Sequence, residues 1–107
     1  MQRLSSRSRE KLKAAEYKLA VGEGDVRARL RYVFKLLRTL RPHDLPAELR
    51  DDFNWVMTQL TRYGPDKDED GTVYRTAIDH TMSRIRNSTG RKIAEVVVRL
   101  SRSTSSP

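Results

Sequence analysis

Apolar residues recur along this chain at three- and four-residue intervals, and no stretch alternates convincingly with the period of two that a half-buried strand shows. The first such run predicts a helix over residues 8–21, with Leu12, Ala15 and Leu19 on one face. Gly22-Glu23-Gly24 ends it, because glycine reaches the left-handed backbone of a helix stop without steric cost. Gly24 or Asp25 then opens a second helix reaching about Leu40, with a stripe of Val26, Leu30, Val33, Phe34, Leu37 and Leu40. Pro42 and Pro46 bracket a tight connection. There Asp44 is placed to cap a third helix, and Pro46 suits its first turn, where a missing N–H costs nothing.

The third helix, to about Thr61, carries Leu49, Phe53, Val56, Met57 and Leu60 inward. A loop over 63–71 leads to a fourth helix over 72–86, which presents Tyr74, Ala77, Ile78, Thr81, Met82 and Ile85. Residues 87–90 break it, and a short fifth helix carries Ile93, Val96, Val97 and Leu100. The expected fold is all-α: a compact bundle of four main amphipathic helices plus a short C-terminal helix. One domain spans 9–100, between a disordered basic N-terminus (1–8) and a disordered polar tail (101–107) that lack apolar surface to bury.

The run DLPAELRDDFNWVMTQLT, preceded by RLRYVFKLLRTL, resembles a family of small all-helical bacterial proteins of unknown function. In that family a D-x-P-x-x-L-R turn leads into a helix ending in Leu-Thr, followed by a variable loop and two C-terminal helices. The likeness covers roughly residues 15–100, and Asp44, Leu45, Pro46, Leu49, Arg50, Phe53 and Leu60 carry it. These are capping and core positions, so the resemblance implies a fold and transfers no active site.

Composition narrows the chemistry. The 107 residues hold 22 Lys/Arg against 14 Asp/Glu, with a pI near 10.3. The charge is uneven. Residues 45–74 carry 3 Lys/Arg and 7 Asp/Glu, and the remainder 19 and 7. An acidic patch on a basic body orients encounters with charged partners. With no Cys there is no disulfide framework, thiol nucleophile or thiolate metal site. No apolar run approaches the ~20 residues of a membrane span, and the N-terminus lacks the pattern of a secretory signal, so the expected location is the cytoplasm, away from membranes.

Four features compete as sites. Arg27, Arg31, Lys35 and Arg38 form a basic stripe on the second helix, extended by Arg91 and Lys92, that can track phosphates through counterion release. The plainer reading is a solvated face partly balanced by Glu48, Asp51 and Asp52. Asp66, Asp68, Asp70 and Gly71 reproduce the first half of an EF-hand calcium loop, yet Ala77 stands where its bidentate Glu belongs. The alternative is a solvated loop whose Asp70 or Thr72 caps the fourth helix.

Arg38 and His43, and Arg75 and His80, share the R-x4-H spacing of the helical HEPN ribonucleases. With 16 arginines in the chain one such pair arises by chance, and on a regular helix the second pair points about 140° apart. Trp55 lies off its apolar stripe, beside Glu48 and Asp52: an interface anchor, or core margin under the first or fifth helix. No nucleophile–base pattern, phosphate loop or paired metal-binding histidines occur, so no enzyme and no cofactor are expected. The leading expectation is a non-enzymatic protein-interaction module, with weak self-association between acidic and basic patches. Nucleic-acid binding through the second helix is the alternative.

Overall fold

The computed structural model describes residues 5–104. Helix α1 (Ser6–Val21) begins where the Ser5 hydroxyl accepts from the Ser8 amide at 3.1 Å. It ends at Gly22, whose N–H donates to the Lys18 carbonyl. Gly24, at φ +82°, turns the chain, and Asp25 caps α2 (Val26–Leu37) by accepting from the amides of Arg27 and Ala28. A 3₁₀ turn (Pro42–Asp44) follows. Asp44 serves this turn and not the next helix: its carboxylate accepts from the Arg41 amide at 2.8 Å. Arg50 closes the connection by donating Nε to the carbonyls of Pro42 and Leu45, which seats Leu45 fully in the core. Helix α3 (Ala47–Leu60) therefore starts at Pro46 with no side-chain cap.

The segment expected to open a fourth helix at Thr72 instead forms a hairpin. Strand β1 (Asp66–Lys67) pairs antiparallel with β2 (Val73–Arg75), with Asp66 opposite Arg75. Thr76, not Asp70 or Thr72, caps α4 (Ala77–Arg84), and Tyr74 is exposed on the hairpin. β-Branched Thr72 and Val73 with Tyr74 favour extended backbone, and Gly71 at φ +88° permits the turn. Extended backbone at Ile85 ends α4, and α5 (Asn87–Ser103) follows at once. Residues 87–90 thus begin a helix, and the C-terminal helix is the longest of the five.

Each helix gives its apolar stripe to one core: Leu12, Ala15 and Leu19; Leu30, Val33 and Leu37; Phe53, Val56 and Leu60; Met82; Ile93, Val97 and Leu100. Helix α5 packs against α1, α2 and α3, while α2 also meets α1 and α4. Two parts of the expected disordered ends are ordered. Ser8 is buried in α1, and Ser101 is buried in α5, where its hydroxyl donates to Glu16 at 2.8 Å. The rest of that expectation, at residues 1–4 and 105–107, lies outside the described residues. Among those described, no helix is long and apolar enough to cross a membrane.

Candidate interaction surfaces

The basic stripe of α2 does not survive as one surface. Arg27 donates to the Asp25 carboxylate at 3.0 Å and to the Ile85 carbonyl at 3.3 Å. The bond from Arg27, with the Ala28 amide next, holds the Asp25 carboxyl below its ordinary value. Arg31 Nε lies 3.1 Å from Asp79 Oδ1, an ion pair without the angle of a hydrogen bond. These two guanidiniums are thus spent locally against the α4 side. Lys35 and Arg38, one and two turns on, remain exposed.

What Lys35 joins is a surface the charge pattern concealed. The Tyr32 ring, 47 % exposed on α2, has Lys18 Nζ of α1 at 3.9 Å from its centre and Lys35 Nζ at 5.9 Å. A ring quadrupole attracts an ammonium without neutralising it, so both cations are held in place with their charge intact. Arg7 crosses the same seam and donates to the Thr39 carbonyl at 3.4 Å, so α1 and α2 run antiparallel. Lys11 sits between Arg7 and Lys18 on that side of α1. Helix α2 contains no acid, and of the two in α1 Glu16 faces α5. There the Ser101 hydroxyl, ahead of Arg102, keeps the Glu16 carboxyl below its usual range.

The acidic segment uses its carboxylates to build its own turn. Asp68 Oδ1 accepts from the amides of Asp70 and Thr72, at 3.2 and 3.0 Å, and Asp70 accepts from the Thr72 amide and hydroxyl. Asp66 meets Arg75 at 4.0 Å and bonds to the Tyr74 hydroxyl, which raises the Tyr74 pKa. Among the described residues no three acids or histidines stand together as a metal cage. Around Asp66, Asp68 and Asp70 a hairpin replaces the expected loop-to-helix junction.

One pH effect follows. Bonding to the Asp68 carboxyl, then to Thr72, pulls the Asp70 carboxyl down to about 2 from an ordinary 3.8. A depressed carboxylate keeps its contacts at full strength above its ordinary value and loses them as pH falls through the folded one. The side-chain carboxyl carbon resonance of Asp70 is thus expected to hold steady to about pH 4 and to titrate near pH 2. A midpoint at the ordinary value would contradict this arrangement.

The two histidines have different surroundings. His43 is exposed beside Asp44, at 3.7 Å. His80 Nδ1 donates to the Gly64 carbonyl at 3.0 Å, while Arg75 turns to Ser83 and Asp66. His80 instead lies against Tyr63, ring centres 6.0 Å apart, at the end of α3. Two further cations approach that ring: Arg62 at 5.6 Å and Arg84 at 5.1 Å. Nothing in the spacing of the chain singles out Tyr63; only the meeting of α3 and α4 does.

On α3, Trp55 is 40 % exposed. Glu48 is exposed, and Asp52 is bound to Arg99 of α5 at 3.2 Å. Arg91 and Lys92 are exposed on α5, where Arg91 edges a groove of about 670 Å³ between α1, the start of α2 and α5. The groove floor is apolar, with Leu19, Val26 and Val98. Its rim alternates Glu16, Asp25 and Glu95 with Arg29, Arg91 and Arg102, so it favours neither charge. Compared with family models, curated proteins and solved structures, the chain matches none.

Proposed function

We propose that the protein is a non-enzymatic binding module whose working surface is the outer face of the α1–α2 pair, and that this face engages the phosphates of a nucleic acid. The observation that carries the reading is the exposed Tyr32 ring with Lys18 and Lys35 over it. Two ammoniums at set positions on two helices, flanked by Arg7, Lys11 and Arg38, match a row of phosphates better than a single-helix stripe does. The tyrosine adds an aromatic surface of the kind on which unpaired bases stack.

The test is fluorescence anisotropy of short DNA and RNA strands across a salt series, comparing two Gln sets. Substituting Lys11, Lys18, Lys35 and Arg38 together is expected to flatten the log–log salt slope by roughly 0.7–0.9 per lost phosphate contact. Arg27→Gln/Arg31→Gln is expected to leave the slope nearly unchanged, since Asp25 and Asp79 already neutralise those guanidiniums. Equal losses in both sets, or none in the first, would refute the assignment.

A second reading, a protein partner on α3, is favoured by Trp55, since a half-exposed Trp with a charged pair one turn away has the make-up of an interface anchor. Trp55→Ala leaves oligonucleotide affinity untouched if the first reading holds.

A further inference from the structure

Arg62, in the turn that follows α3, and Arg84, in the last turn of α4, end at the same aromatic ring. Neither has a carboxylate partner among the described residues. Asp66 is engaged with Arg75 and Tyr74, and Asp79 of α4 with Arg31. The residue carrying the ring that both guanidiniums approach is fixed through its backbone. The Tyr63 amide donates to the Thr81 hydroxyl at 3.1 Å, and Thr81 is fully buried. The next carbonyl, of Gly64, accepts from His80, whose ring lies tilted at 49° to Tyr63. His80 and Arg84 stand one turn apart on the same face of α4. The backbone under the cations is therefore fixed while their N–H donors stay exposed.

Two uncompensated guanidiniums near one ring repel each other. The ring quadrupole offsets this only in part, and a doubly charged oxyanion would remove the repulsion while accepting from both. We propose that Arg62, Tyr63 and Arg84 form a binding site for a phosphate monoester. Guanidinium forks suit phosphate geometry, and a monoester carries more charge than the diester of a strand interior, so the site discriminates ends from backbone. The Tyr63 ring, 40 % exposed, is available to a base or sugar attached to that phosphate. The inference goes beyond the α1–α2 reading and does not depend on it, because the residues lie in the turn after α3 and on α4.

Two sources supply such a group, a free mononucleotide and the 5′-phosphorylated end of a strand, and the experiment separates them. Arginine Nε–Hε resonances of the full chain are followed during titration with inorganic phosphate, adenosine 5′-monophosphate, adenosine, and an oligonucleotide with or without a 5′-phosphate. Chloride at equal ionic strength is the control. Saturable shifts at Arg62 and Arg84 with phosphate and the monophosphate, but not with adenosine or chloride, are expected.

Arg84→Gln and Arg62→Gln, both at exposed positions, are each expected to weaken that binding about tenfold. If the strand end is the source, the 5′-phosphorylated oligonucleotide shifts these two arginines and its unphosphorylated twin does not; if the mononucleotide is, the two oligonucleotides behave alike. Shifts that chloride reproduces, or variants that bind phosphate as the parent does, would overturn the site. Either result leaves the salt-slope comparison at Lys18 and Lys35 standing.

Discussion

Leu30→Ala is expected to cost about 2–5 kcal/mol of folding stability, the range for truncating a fully buried leucine without collapse of the space left behind. Leu30 is wholly inaccessible in α2, the helix that meets α1, α4 and α5, so its methyl groups touch core that several elements share. Collapse into the space would require more than one helix to move, which sets the expectation toward the upper part of the range. For a domain of this size each kcal/mol corresponds to roughly 4–8 °C in Tm. Urea unfolding followed by circular dichroism measures the loss directly. A midpoint within the scatter of the parent would mean that α2 does not sit in the core as described.

Gly90→Ala is expected to destabilise as well, against the ordinary preference for alanine in helices. Exchanging Gly for Ala inside a helix gains about 1 kcal/mol from propensity alone. Here an added Cβ would fall 2.9 Å from Val26 Cγ1, with Leu30 Cδ1 and Arg27 Cγ at 3.6 and 3.7 Å. Val26 is short and packed, so α2 and α5 must separate, and overpacking of that kind costs about 1–3 kcal/mol. Set against the propensity gain, the net loss is about 0–2 kcal/mol.

The cause is separable. In the Val26→Ala background the overlapping methyl is gone, so Gly90→Ala should become neutral or stabilising. The coupling energy expected for such neighbours is about 0.5–3 kcal/mol. Additive effects in that cycle would show that the close approach of α2 and α5 is not what selects glycine.

The charge pattern illustrates what was hidden from a reading along the chain. Lys35 and Arg38 of the expected stripe are exposed, although α2 ends at Leu37 and Arg38 is its C-cap, three residues short of the expected end at Leu40. The division of that stripe depends on Asp79, 48 positions from Arg31, and on a carbonyl at Ile85, 58 positions from Arg27. Trp55 was legible as a residue off its stripe, and its exposure follows from that. Tyr63 carried no local signal, since its partners Arg84 and His80 arrive from another helix. The acidic loop misled because carboxylates at alternate positions suit a calcium loop and an Asx-stabilised hairpin turn equally well. In the hairpin Asp68 accepts from the backbone amides of Asp70 and Thr72.

By itself the sequence determined the helical class and the core residues of four helices, and it narrowed the start of α2 to Gly24 or Asp25. On the fourth helix it placed Thr81, Met82 and Ile85 inward but wrongly added Tyr74. Burial of periodic apolar residues and side-chain capping act over three or four positions, where spacing is information. The tertiary structure alone decided the length of α5, the hairpin, and above all which cations stay available. Ion pairs and cation–π contacts are made by whichever charge or ring lies within a few ångströms. The pairs that matter, Arg31 with Asp79, Lys18 with Tyr32 and Arg84 with Tyr63, come within reach only when separate helices pack on one core.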